Sequence, residues 1–575
     1  MIRVFKLFFI LLGFVSVRSL AQIPDWNWAR SLGGSSSDYC YSVAVSSSGN
    51  GSVCTTGYFR GIVDFDPGPG VLNLGSSLGQ SIFISKLDYS GDLVWAKAIV
   101  GTGYNTGASI AIEQTSAENI YITGIFEGTK DFDPGQNVFN LSAIDNSDIF
   151  IAKFDSLGNF IWAKTIGGIG YESGNTIKFD SNGNGSLLVS GDFTGTVDFD
   201  PGQAFAYRTS KGADDFFVTK LDTAGNLIWI DTFGSGDYDY SRELAIDQIN
   251  DRSIYVTGWF SDTIDFDPGP NVYNLISHGG YDIFILKLDS VGNLVWAKNI
   301  GAALYDRGMS IVVEQNENAC IYVTGYFYED VDFDPGPGVS TLTAWNGDVF
   351  VSKYNGAGNL IWVKSFGGSF DDYSFSISID QASNNSVYIT GSFQNSADFD
   401  PNVGIFNLLS AGNTDTYVSK IDSSGNFIWA KKIGGSEPEN GLAIASDKSG
   451  NMFLANSFFS STINLDAISI YNTANGVPQI SVSRLNDLST RIEESKYMEG
   501  VFVFPNPSAE IVNVICENSS EAVLQISLTD ELGREIARVG GSEKRIDVRR
   551  FSSGLYFLNV ITSRGRYFKK LLIEK

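Results

Sequence analysis

The chain has 575 residues, of which 43% are hydrophobic and 18% charged, too apolar and too weakly charged for wholesale disorder. The 13% aromatic content with 62 glycines points to strands and turns. The net charge of −26 is uneven: −30 over residues 22–490 and +1 over 491–575. That asymmetry marks two units, and it excludes nucleic acid or anionic lipid as the main partner of the larger one. Histidine occurs once, at His278, which excludes any site built from two imidazoles and speaks against a Ser-His-Asp triad. Among Cys40, Cys54, Cys320 and Cys516 there is no CxxC, so zinc ribbons and thioredoxin-type chemistry are excluded. Cys40 and Cys54 are the one pair close enough in sequence to suggest a bridge.

At the N-terminus, Arg3 and Lys6 precede the apolar run Leu7–Val17, and Ser19-Leu20-Ala21 puts small residues before Gln22. Residues 1–21 read as a signal peptide, with an uncleaved anchor as the alternative. No later apolar stretch approaches the roughly 18 residues of a membrane-spanning helix, so no transmembrane segment is expected in the mature chain.

From Trp28 onward the chain repeats. The phrase GNLVWAK places tryptophans at Trp28, Trp95, Trp162, Trp229, Trp296, Trp362 and Trp429, with gaps of 67 or 66 residues. A second phrase places a basic residue at Lys86, Lys153, Lys220, Lys287, Lys353, Lys420 and Arg484. Thr-Gly-x-Phe and Asp-Phe-Asp-Pro-Gly recur in register. Each repeat reads as four strands, as in Ser109–Ile112, Ile120–Gly124, Asp148–Lys153 and Phe160–Lys164. Glycine in the short links supplies the positive φ of tight hairpins. The last strand is expected to alternate with Phe160 outward and Ile161 inward. Four strands repeated seven times predict a seven-bladed β-propeller over residues 22–488. The first repeat opens with a lone tryptophan strand, Trp26–Ser31, and the seventh ends at Ile480–Leu485 without one. The N-terminal strand is therefore expected to complete the last blade and remove two free edges.

Strand parity places the Asp-Phe-Asp-Pro-Gly links and the links between repeats on one face. The motif supplies Asp64 and Asp66, Asp131 and Asp133, Asp198 and Asp200, Asp265 and Asp267, Asp332 and Asp334, and Asp398 and Asp400. Two readings stand: aspartates that form a turn with proline and glycine, or carboxylate pairs that with turn carbonyls hold Ca²⁺. Ten residues after each tryptophan come Asp38, Asn105, Glu172, Asp239, Asp306, Asp372 and Glu439. They are read either as caps for backbone amides or as a ring for a cation or polar ligand. The tip before the third strand varies most, with His278-Gly279-Gly280 in the fourth repeat and Trp345-Asn346-Gly347 in the fifth. Trp345 suits stacking on a sugar ring, or packing at a blade edge. His278 is a second candidate ligand contact, or an ordinary loop histidine.

Residues 489–500 read as a linker, and 501–575 as a small Ig-like β-sandwich of short strands. Its Phe-Pro-Asn-Pro opening, Asp-x-x-Gly-Arg turn, Ser-x-Gly-x-Tyr-Phe phrase and terminal Lys-Lys-Leu-Leu-Ile resemble the type A C-terminal sorting domain of the type IX secretion system. The repeats look like bacterial β-propeller repeats found ahead of such domains. The resemblance implies Sec export, recognition by type IX machinery, probable removal of this domain, and release or attachment at the outer-membrane surface. The expected function is a non-catalytic binding or adhesion module for a surface glycan or protein. A polysaccharide hydrolase or lyase is the alternative, and a passive surface protein a third reading. Catalysis would need one blade to break the pattern with a buried, perturbed carboxylate, and none is evident from sequence.

Overall fold

The computed structural model describes residues 24–46, 51–76, 79–181, 184–474, 476–486 and most of 501–575. The leader 1–21, the linker 489–500, Pro505-Asn506-Pro507 and the Asp530–Arg534 turn lie outside the described residues. The chain divides into two compact units, Met1–Leu488 and Ser489–Lys575.

In the larger unit each repeat folds into an antiparallel sheet of four main strands. In the second repeat the order is Thr106–Ile112, Ile120–Phe126, Asp148–Phe154 and Phe160–Gly168. Seven such sheets form among the described residues. Their first strands touch in succession, and that of the seventh, Glu439–Ser446, touches that of the first, Tyr39–Val45. The cycle is closed by hydrogen bonding between the two ends of the unit: Trp26–Gly34 pairs with Gln479–Asn486 as the fourth strand of the seventh sheet. Trp28 lies opposite Arg484 and Leu32 opposite Ile480, and Trp26, Trp28, Ala29 and Leu32 are buried.

Second and third strands are buried along their whole length, as in Val53–Phe59 and Ser81–Leu87, because neighbouring sheets cover both of their faces. The fourth strand is the outer one and alternates, but with the opposite parity to that expected. Ile161 is 45% exposed, whereas Phe160 packs on Phe139 and Phe154. Phe139 comes from the link between the second and third strands, which covers a face that would otherwise have met water. Cys40 and Cys54 are both free and buried. The pairing sets Cys40 opposite Gly57 and Cys54 opposite Ala44, so the two thiols are not facing partners.

The recurrent tryptophan and lysine join each sheet to the next. Trp95 Nε1 donates to the Ser156 carbonyl at 3.1 Å, and its indole lies over Gly158 in the following sheet's turn. Lys353 Nζ meets Glu314 Oε1 at 2.8 Å in its own sheet and the Ser423 carbonyl at 3.2 Å in the next. It also lies 4.8 Å from the centre of the Tyr322 ring. Gly158 has a φ of 78°, and a Cβ there would stand 2.8 Å from the Trp95 ring. Gly158→Ala is therefore expected to cost about 1–2 kcal/mol through strain at positive φ and displacement of the indole. Urea denaturation of the full chain checks this, and an unchanged midpoint would contradict the packing.

The smaller unit has two antiparallel sheets around one buried cluster. Val501–Phe504, Ile511–Cys516 and Arg545–Asp547 form one. Glu535–Gly540, Val523–Thr529, Gly554–Thr562 and Arg566–Ile573 form the other. Val512, Ile526, Leu558 and Leu571 are in the shared core. Among the described residues no helix is long and apolar enough to cross a membrane.

Candidate functional site

Each Asp-Phe-Asp-Pro-Gly segment leaves a short strand and makes a turn, as in Thr196–Asp198 paired with Tyr207–Thr209. The central phenylalanine is buried: Phe199 stacks edge-on against Phe193 at 5.2 Å. The flanking aspartates face the turn. Asp198 Oδ1 accepts from the amides of Asp200 (3.1 Å) and Ala206 (2.8 Å), and Asp200 Oδ1 accepts from Gly202 (2.7 Å). Asp64 and Asp66, Asp131 and Asp133, Asp265 and Asp267, and Asp332 and Asp334 repeat this pattern. Asp398 and Asp400 do too, with Asn402 in place of the glycine. The hairpins also clasp adjacent sheets: Gly167 pairs with Asp198, and Gly367 with Asp398. One oxygen of each carboxylate is engaged by backbone amides, as the turn-forming reading expects. Among the described residues no three His, Cys, Asp or Glu side chains come together as a metal site.

The carboxylates between repeats are buried staples. Asp372 accepts from Gly368 N (2.7 Å), at the end of one sheet, and from Gln394 N (2.9 Å), beside the second strand of the next. Asp38, Asp239, Asp306 and Glu439 do the same, and Asn105 accepts the equivalent amide of Glu127. Burial pushes Asp38, Asp239, Asp372 and Glu439 up to about 7, and Asp306 to about 6, although the amides pull downward. Glu172 departs from the pattern. Its buried oxygens make no well-formed hydrogen bond among the described residues, with only a weak contact to the Gly168 amide, and burial, with the nearby Asp148 carboxyl, pushes it up to about 8.

The two variable-tip candidates are not brought together by any contact. His278 Nδ1 lies 2.8 Å from Asp282 Oδ2 and 3.3 Å from Asn299 Nδ2, which orients the ring within its own sheet. Trp345 is 86% exposed, which leaves its ring open to solvent.

A richer cluster lies where the seven inner strands approach one another. Every inner strand carries a β-bulge, and the residues skipped in the register are Tyr41, Ala108, Asn175, Arg242, Met309, Phe375 and Leu442. A bulge re-aims its side chain and is common beside functional sites. Here the re-aimed Arg242 is exposed, and its guanidinium stands 5.6 Å from the Trp259 ring. It also acts electrostatically on Tyr41, in the first sheet, and on Tyr326, in the fifth. Arg307 lies 4.7 Å from the same indole and 5.3 Å from the Tyr281 ring, and its Nη1 donates to Tyr326 Oη at 3.0 Å. Trp259 Nε1 and Arg307 Nε are buried without a partner among the described residues. Beside them Asp192, fully buried, is pushed up to about 8 by desolvation. Its oxygens accept from Ser241 N (3.0 Å) and Asn175 Nδ2 (2.6 Å).

Asp192, Trp259 and Tyr326 all occupy the x of Thr-Gly-x-Phe, filled elsewhere by Tyr58, Ile125, Ser392 and Ser457. Sequence reading passed over this position because it looked like ordinary variation inside a repeat. The signal that could have found it is a tryptophan, Trp259, outside the recurrent tryptophan series.

Residues 502–574 match the family described as the secretion system C-terminal sorting domain. The chain thus carries a type IX sorting domain, which implies recognition by that machinery and export to the cell surface or beyond it. The chain is 22% identical over 475 residues to an uncharacterized WD repeat-containing protein of Acanthamoeba polyphaga mimivirus, covering 69% of this chain and 33% of that protein. It is 23% identical over 384 residues to the regulatory protein FlaEY of Caulobacter vibrioides, covering 62% of this chain and 37% of that protein. It therefore spans little more than a third of the length of these relatives. Among solved structures, PorZ, an essential bacterial surface component of the type IX secretion system of Porphyromonas gingivalis, is 10% identical with a TM-score of 0.20, over 95% of this chain and 100% of that one. A GH74 enzyme of Niastella koreensis is 11% identical with a TM-score of 0.24, over 85% and 78%. Scores this low carry no argument. The sheet architecture itself makes the larger unit β-propeller-like.

Proposed function

We propose that the chain is a secreted or surface-attached binding module. Its larger unit is a closed seven-bladed β-propeller of 67-residue repeats, delivered by a Sec leader and then by the type IX route. The sorting unit is removed or retained at the surface, and the propeller presents its ligand site there. The observation that carries the reading is the asymmetry where the seven inner strands approach one another, which in a closed propeller is the mouth of the central channel. A scaffold repeated seven times concentrates Arg242, Trp259, Arg307 and Tyr326 on two adjoining sheets. A purely structural ring needs no such local departure. The reading does not require calcium, and the aspartates of the turns each serve backbone amides through one oxygen.

A second reading, a polysaccharide-active enzyme, is favoured by one observation. Asp192 is a pattern-breaking, buried carboxyl with a raised pKa next to that cluster, the feature that catalysis requires. One experiment separates the readings. The full chain is titrated against a panel of bacterial and plant surface polysaccharides, and each mixture is assayed for new chain ends. Saturable binding with unchanged polymer length is expected. Product formation abolished by Asp192→Asn would establish the enzyme instead, and no saturable ligand on the panel would favour the passive surface protein.

A further inference from the structure

We propose that the channel mouth binds an acidic saccharide, with Arg242 and Arg307 engaging its carboxylate or sulfate group beside the half-buried ring of Tyr326. The inference rests on the binding reading above and gives it a ligand class and a site.

The two guanidinium carbons share one indole, at 5.6 and 4.7 Å from its centre, so they lie within about 10 Å of each other. Like charges at that spacing repel, and the repulsion is greatest where water is partly excluded. Neither arginine has an ion pair among the described residues. The acidic groups nearby are hydrogen-bonded elsewhere, although Asp192 also interacts electrostatically with Arg242. Asp192 holds Ser241 N and Asn175 Nδ2, and Asp214 accepts the Tyr240 hydroxyl at 2.6 Å. Two guanidiniums on one indole without an ion-paired carboxylate are an arrangement with unused donors. They are a good one for an anion, because guanidinium presents a planar fork to carboxylate and sulfate and also stacks on aromatic faces.

Trp259 Nε1 and Arg307 Nε are buried donors with no acceptor among the described residues. Trp259 is 7% exposed with both guanidiniums over its ring, so the sugar meets the exposed Arg242 and the half-buried Arg307 and Tyr326. The long-range field of the acidic unit repels free anions, so affinity must come from contacts inside the mouth, where several groups act on one molecule.

The test is calorimetric titration of the full chain with oligogalacturonate, a sulfated galactan oligosaccharide and a neutral oligosaccharide of matched length. At least one acidic ligand is expected to bind at least tenfold more tightly than the neutral one, and more weakly as salt is raised. Which acidic ligand binds distinguishes carboxylate from sulfate. Arg307→Ala and Arg242→Gln are each expected to weaken it at least tenfold, and Trp259→Phe to weaken it less. Trp345→Ala is expected to leave it unchanged. Arg242 is exposed, so its variant reports even if Arg307→Ala fails to fold. Neutral ligand bound as well as acidic, or acidic binding that survives Arg242→Gln, would overturn the site while leaving a binding module. Absence of saturable binding by either acidic ligand would also overturn it, and the wider polysaccharide panel then decides the binding reading separately.

Discussion

Deleting residues 24–34 is expected to open the ring and cost the larger unit most of its stability. That segment contributes the buried side chains of Trp26, Trp28 and Leu32, and six of its residues pair with the last strand. At about 1.5–3 kcal/mol for each large buried side chain, the three together contribute about 4.5–9 kcal/mol. The stability of a whole domain is only about 5–15 kcal/mol. Other ties go with them: Trp28 Nε1 to the Tyr89 carbonyl (3.0 Å), Arg30 Nε to the Gly91 carbonyl (2.9 Å), and Gln479 Nε2 to the Gly34 carbonyl (2.8 Å). The strand Gln479–Asn486 becomes a free edge, which invites pairing between chains. Urea denaturation with light scattering is expected to show a much lower midpoint and self-association. A truncated chain that melts like the intact one would mean that the ring does not depend on this strand.

Acidification from pH 8 to pH 6 is expected to stabilise the protein. Burial raises Asp38, Asp239, Asp372, Asp348 and Glu439 to about 7, and Glu172 and Asp192 to about 8, from ordinary values of 3.8 for aspartate and 4.5 for glutamate. A folded-state pKa above the unfolded one means that the folded protein binds protons more tightly. The resulting stabilisation is complete below the unfolded pKa and is lost as pH rises through the folded value. Each group near 7 then contributes about 1.4 kcal/mol between pH 8 and pH 6. Coupling among neighbours makes the sum smaller than independent groups would give. Carboxylates held below the usual range by turn amides, such as Asp155 and Asp222, oppose this only in more acid solution. Urea midpoints measured across pH 6–8 are expected to rise toward pH 6, with a smaller rise in Asp372→Asn. A midpoint that falls on acidification would show that the amides keep these carboxylates ionised in the fold.

The repeat was legible because each recurring residue performs one mechanical task. Trp95 must reach the next sheet's Gly158, so the tryptophan and the turn glycine recur at one interval. The complementarity of Trp26–Ser31 and Ile480–Leu485 was legible for the same reason. Burial parity in the outer strand was not. Ile161 and Phe160 are both apolar, and the choice between them is made by Phe139, which reaches the strand from another part of the repeat. The channel mouth was also hidden. A bulge at Arg242 leaves no mark in the spacing, because all seven inner strands carry one. Arg242 and Arg307 fall in adjacent repeats, and only ring geometry places both against Trp259.

Hydrogen exchange of the backbone amides in residues 26–32 of the full chain tests the closed ring most directly. As the outer, fourth strand of the seventh sheet, this segment is expected to match, in the amides bonded to Gln479–Asn486, the protection of other fourth strands such as Leu93–Ile99, opening only with the unit as a whole. Exchange of residues 26–32 at the rate of a free terminus, with Leu93–Ile99 still protected, would contradict closure through the N-terminal strand.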